Sequence, residues 1–272
     1  MTFSQWLFGG IDNPYKSGQW GILHIATLLT VTALIFGFYF LAKHSRDPER
    51  TKKKILFSLA GAILFFEIMI RFVHCVKLYC LHLPEMDGIT MLWILIPKPW
   101  CAVSCWAIMA SVFVKKKFFY NFTSLSALLC SFIFFIYPGV GYNNVYLLFE
   151  NWYSILTHAL LLTTSITMIT LGYADFQYRE FWKTAICFVL TFAYGFLEIY
   201  VLHTQTDPMY FMPGGDIQAD ILKINYGVYL TLYIVLLIAY INGAYLIGDR
   251  KNVKAYFAKQ KEKRGKTLSS QL

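Results

Sequence analysis

The chain has 272 residues, of which 57% are hydrophobic, 18% aromatic and 14% charged. That balance excludes intrinsic disorder and an ordinary soluble domain. A formal charge of +9 would suit nucleic acid, but the basic residues fall in short runs between apolar segments. That is the pattern of a membrane protein, and no nucleic-acid partner is expected.

Residues 1–21 read as a short external arm. Gly9-Gly10 and Asp12-Asn13-Pro14 are expected to break any early helix. Met1 to Trp20 has no basic start followed by an apolar run, so no cleavable signal peptide is expected. Seven apolar runs follow, at residues 22–42, 55–76, 93–114, 122–137, 152–173, 181–203 and 222–247. Each approaches the roughly 20 residues that a membrane crossing needs. The expected fold is all-α: a polytopic membrane protein whose residues 22–247 form a seven-helix transmembrane bundle, followed by a basic tail over 248–272.

The basic residues orient the bundle. Lys43, Arg46, Arg50 and Lys52 to Lys54 follow the first run, Lys115 to Lys117 the third, Arg179 and Lys183 the fifth, and the tail carries more. The alternate connections are poor in them, which puts the N-terminus outside and the C-terminus in the cytoplasm of a cell membrane. The sequon Asn121-Phe122-Thr123 then faces the cytoplasm, so no glycan is expected.

Most polar residues inside the runs lie toward the external end. His24 is in the first run and Glu67, Arg71 and His74 are in the second. Cys101 and Ser104 are in the third, His158 in the fifth, and Glu198 and His203 in the sixth; Asn225 opens the seventh. Ionisable groups in a bilayer cost several kcal/mol and so face the bundle interior or water. Matched depth on several helices predicts one pocket below the external surface. Glu67, Arg71 and His74 share a helical face at i, i+4 and i+7; a structural ion pair that pins the second run explains that spacing equally well.

The third run holds Ile96-Pro97-Lys98-Pro99-Trp100-Cys101. Prolines stop the chain from donating helical bonds there, and freed backbone inside lipid must find partners in protein or water. If Pro99 starts the helical part, Cys101 lies in its first turn, where the dipole and free N–H groups favour a thiolate. Lys98 adds positive charge. His158, at similar depth, is placed to take the thiol proton. Taken singly, such a cysteine suits packing and such a histidine a structural hydrogen bond. Cys105, Cys130 and Cys187 read as packing residues. Cys75 and Cys80, beside His74 and His82, leave a disulfide or a metal open, although the spacing fits no standard zinc pattern. No cofactor or resident metal is expected.

Several short motifs carry a resemblance. They are Trp20-Gly21-Ile22-Leu23-His24, the stretch from Ile96 to Cys101, Tyr137-Pro138, and Ser154-Ile155-Leu156-Thr157-His158. With these the chain resembles the YwaF-type integral membrane proteins of bacteria. More distantly it is similar to a eukaryotic transmembrane acyltransferase that remodels ether phospholipids. The resemblance implies a nucleophile at Cys101, a partner histidine at His158 and a membrane lipid as substrate. The remaining expected substrate-binding residues are His24, Glu67, Arg71, His74, Lys98 and Glu198. A transporter or a small-ligand receptor built on the Glu/Arg/His cluster is the alternative.

Overall fold

The computed structural model describes residues 1–16, 18, 20–83, 89–98, 100–136, 141–202, 222–250 and 252. Pro99, Tyr137-Pro138, His203 and nearly all of the basic tail lie outside these residues. The described residues are helical: α1 (Phe3–Phe8), α2 (Ile22–Lys43), α3 (Pro48–Val76), α4 (Met91–Leu95), α5 (Cys101–Val114), α6 (Lys117–Ile136), α7 (Phe149–Thr170), α8 (Phe181–Phe196) and α9 (Tyr226–Gly248). Six of the helical segments are long and apolar enough to cross a membrane; Cys101–Val114 is apolar but shorter.

Helix boundaries follow from local chemistry that hydropathy does not register. α3 starts at Pro48, seven residues before the apolar run, because the Asp47 side chain accepts the Arg50 N–H and proline suits the first helical position. α7 starts at Phe149 because the Asn151 side chain accepts the Leu148 N–H at 3.0 Å. α3 and α8 each end in a π-helical turn, at Lys77–Leu81 and Leu197–Val201. The expectation that the N-terminal arm holds no helix is corrected. Thr2 and Gln5 cap each other's backbone, and Gly9, at φ 77°, stops α1 after six residues instead of preventing it. Trp6 fixes α1 to the bundle by donating to the Leu147 carbonyl and meeting Phe149 edge-on.

α6 lies at the centre, packed against α5, α7 and α8. Its contact with α7 is rich in small hydroxyl residues, which let helices approach closely where lipid provides no hydrophobic drive. Ser165 donates to the Ser124 carbonyl at 2.7 Å, and Ser104 of α5 lies 2.7 Å from Ser126. α2 and α9 are peripheral. Their buried residues are His24, Val31 and Ala42 in one, Tyr229, Ile241 and Tyr245 in the other.

α9 is held at one end by a polar knot. The Tyr245 hydroxyl sits 2.6 Å from Thr184 Oγ1 and accepts from Asn121 Nδ2 at 3.0 Å. Asn121 also exchanges two bonds with the Asp175 backbone. The sequon asparagine is thus a fully buried structural residue. Tyr245→Phe leaves one buried Asn121 N–H without its acceptor, while Thr184 keeps its bond to the Phe118 carbonyl, and is expected to cost about 1–3 kcal/mol. A lower thermal midpoint of the detergent-solubilised protein, with helicity retained, checks this.

Candidate functional site

α5 begins at Cys101 because the chain before it cannot continue a helix. α4 ends at Leu95, and Ile96 is extended, the conformation preferred ahead of a proline. Side chains from three directions then hold the irregular stretch. The Pro97 carbonyl accepts the Tyr194 hydroxyl at 2.9 Å. Trp100 Nε1 donates to the Tyr233 hydroxyl at 3.0 Å, and Lys98 Nζ lies 3.2 Å from the centre of the Trp93 ring. The Tyr194 bond thereby satisfies a backbone carbonyl that lipid cannot. Tyr194→Phe removes one of these ties. It is expected to slow alkylation of Cys101 by up to about tenfold, one hydrogen bond's worth, as read by iodoacetamide labelling.

Cys101 and His158 come together. Cys101 Sγ lies 3.2 Å from His158 Nε2, and His158 Nδ1 lies 2.7 Å from the Ser154 carbonyl one turn earlier in α7. A carbonyl can only accept, so Nδ1 carries the proton and Nε2 turns its lone pair to the thiol. The imidazole is pinned on its flat face as well, with Phe134 stacked on it at 3.8 Å and 7°. Nine residues separate Phe149 from His158, so the ring lies about 14 Å along α7 at 1.5 Å per residue.

Cys130 of α6 also belongs here, though the sequence marks it only as a packing residue. Its thiol lies against the Cys101 sulfur and 3.8 Å from Ser104 Oγ. The available signal was depth: Cys130 is six residues before the end of α6 at Ile136, in the same half of the bundle as Cys101.

Glu67, fully buried, accepts from Arg71 Nη1 on one oxygen and from the Tyr153 hydroxyl at 2.6 Å on the other. Cys105, one turn beyond Cys101, lies against the same carboxylate. The Arg71 guanidinium stacks over Trp106 at 5.4 Å. Nothing in the sequence pattern singles out Tyr153 or Trp106, because their roles depend on which helix α3 faces.

Glu198 occupies the π turn that follows α8, with Oε1 3.1 Å from the Tyr194 hydroxyl. Lys98 is near enough to Glu198 for attraction between them. One neighbourhood around the start of α5 thus takes in Glu198, tied through Tyr194 to the Pro97 carbonyl, and Glu67, which acts on Cys105 one turn beyond Cys101. His74 and His24 do not join it. His74 Nε2 is 3.3 Å from Glu150 Oε1, which Lys77 also binds at 2.6 Å, so it belongs to an ion cluster at the start of α7. His24 accepts the Trp20 N–H on Nδ1 and packs between Phe135 and Tyr142. It reaches His158 only through a layer of rings that includes Phe134. Burial in that layer pushes the Tyr142 phenol up. Cys75 and Cys80 are both free thiols.

The helical bundle, with a half-buried thiol–imidazole pair between its helices, defines a multi-pass helical membrane protein. The chain belongs to the TMEM164 family, whose profile matches residues 19–245 and so includes every site residue named above. No curated protein and no solved structure matches it.

Proposed function

We propose that the protein transfers or hydrolyses acyl chains of membrane lipids through a thioester on Cys101. The observation that carries this reading is the 3.2 Å approach of Cys101 Sγ to an imidazole nitrogen whose tautomer is set by Ser154. The similarity to YwaF-type proteins and the ether-lipid acyltransferase supports it. In the first half-reaction His158 Nε2 takes the thiol proton as sulfur attacks the ester carbonyl carbon. The carbon–oxygen bond then breaks, and His158 returns the proton to the departing lipid alkoxide. In the second, His158 takes a proton from an acceptor hydroxyl or water, whose oxygen attacks the thioester carbon; the carbon–sulfur bond breaks and the proton passes from His158 to Cys101 Sγ.

The placement suits a lipid substrate. We take the chain to cross a cell membrane seven times with its N-terminus outside, α5 completing the third crossing. The 14 residues of α5 measure about 21 Å, against a hydrocarbon core of about 30 Å. With Lys115 to Lys117 at the cytoplasmic face, Cys101 lies roughly 9 Å inside the opposite boundary, where the glycerol esters of the outer leaflet can approach. Lys98, three residues earlier and nearer the surface, is the better phosphate partner. Arg71 is engaged by Glu67.

The test is acyl transfer in vesicles from a phospholipid with a labelled acyl chain to a lysophospholipid or to water. Wild type should form a hydroxylamine-sensitive acyl adduct on Cys101. An adduct-free protein without turnover would sink the reading.

A further inference from the structure

A cavity of about 630 Å³ lies between α6 and α9. Leu129, Phe132 and Ile133 line it on one side, and Tyr233, Leu236 and Tyr240 on the other. It falls within the roughly 300–1,000 Å³ of small-molecule sites. Phe132, Ile133 and Leu236 are also exposed on the outer surface of the bundle, so the cavity is a groove open sideways to lipid.

Both tyrosine hydroxyls at the groove are committed elsewhere. Tyr233 accepts from Trp100, and Tyr240 donates to the Leu125 carbonyl at 2.9 Å. What remains is hydrocarbon and ring surface, which fits an unbranched chain and offers nothing to a headgroup or a peptide backbone.

Two links tie the walls of the groove to the surroundings of Cys101. Trp100, bonded to Tyr233 at the groove wall, immediately precedes Cys101. On α6 the groove residue Leu129 is followed by Cys130, which turns inward onto Cys101 and Ser104. The same helix thus presents one face to the groove and the next to the thiol.

We propose that this groove holds the acyl chain of the phospholipid substrate, entering from the bilayer between α6 and α9 with its ester end directed to Cys101. The proposal rests on Cys101 as the acyl-accepting nucleophile and adds where the chain lies and what selects its length. A bulky side chain in the groove should shorten the chain that is accepted.

The test uses full-length protein in vesicles and two thiol alkylators, iodoacetamide and its N-hexadecyl derivative. The readout is the ratio of long-probe to short-probe rates at Cys101, which cancels any general change in thiol reactivity. Leu129→Trp and Leu236→Trp are expected to lower this ratio by about tenfold or more, the equivalent of two buried methylenes displaced. A ratio unchanged in both variants overturns the groove, whatever the absolute rates. If neither probe labels Cys101, the nucleophile reading fails by itself. The groove is then read by a phosphatidylcholine with a diazirine on its acyl tail. Crosslinks to 128–133 or 233–240, competed by unlabelled phosphatidylcholine, uphold it. Labelling no greater than on the exposed face of α2 overturns it.

Discussion

Cys101→Ser is expected to lower acyl transfer by at least roughly a thousandfold, as when a hydrolase loses its nucleophile. Serine retains the shape and a hydrogen bond to His158 Nε2, so the variant should fold and bind lipid normally. What it lacks is a group acidic enough to ionise beside a neutral imidazole. His158→Gln is expected to cost about 10²- to 10⁴-fold, the usual contribution of a positioned general base. The double variant should lose little more than Cys101→Ser alone, because the two groups act as a unit. The vesicle acyl-transfer assay reads all three. Wild-type turnover in His158→Gln would remove the imidazole from the mechanism despite its 3.2 Å contact.

The second large effect concerns stability. Glu67→Ala leaves Arg71 charged and only 14% exposed, and removes the acceptor of Tyr153. Removing one partner of a buried pair costs about 3–5 kcal/mol. The expected result is a large drop in the unfolding midpoint in mixed detergent. Glu67→Leu combined with Arg71→Leu should recover most of it, since a paired replacement leaves no orphaned charge. A further variant, Glu67→Gln, separates structure from transport. A transporter that uses Glu67 would lose uptake in Glu67→Gln with stability little changed. A structural pin loses stability first.

The sequence by itself determined the class of the protein. Apolar runs separated by basic clusters need no tertiary information to specify membrane helices, because each helix satisfies its own backbone. The break ahead of Cys101 was legible for the same local reason: Pro97 cannot donate, and the residue before it avoids the helical region. Glu67 and Arg71 were legible as a pair at i, i+4. Depth along the runs also brought out Cys101 and His158 together. Helix starts at Pro48 and Phe149 were not, since caps act through side-chain bonds that hydropathy ignores.

Only the tertiary structure decided which faces meet. Rotation of one helix about its axis alters every inter-helix contact while leaving the hydropathy pattern unchanged. Hence Tyr153 on Glu67 and Phe134 on His158 carry no sequence mark, although they contact the residues that depth brings out. For the same reason His74, on the face of α3 shared with Glu67, turned out to answer to Glu150. Shared depth is a property of one chain segment, whereas shared contact is a property of how several segments pack.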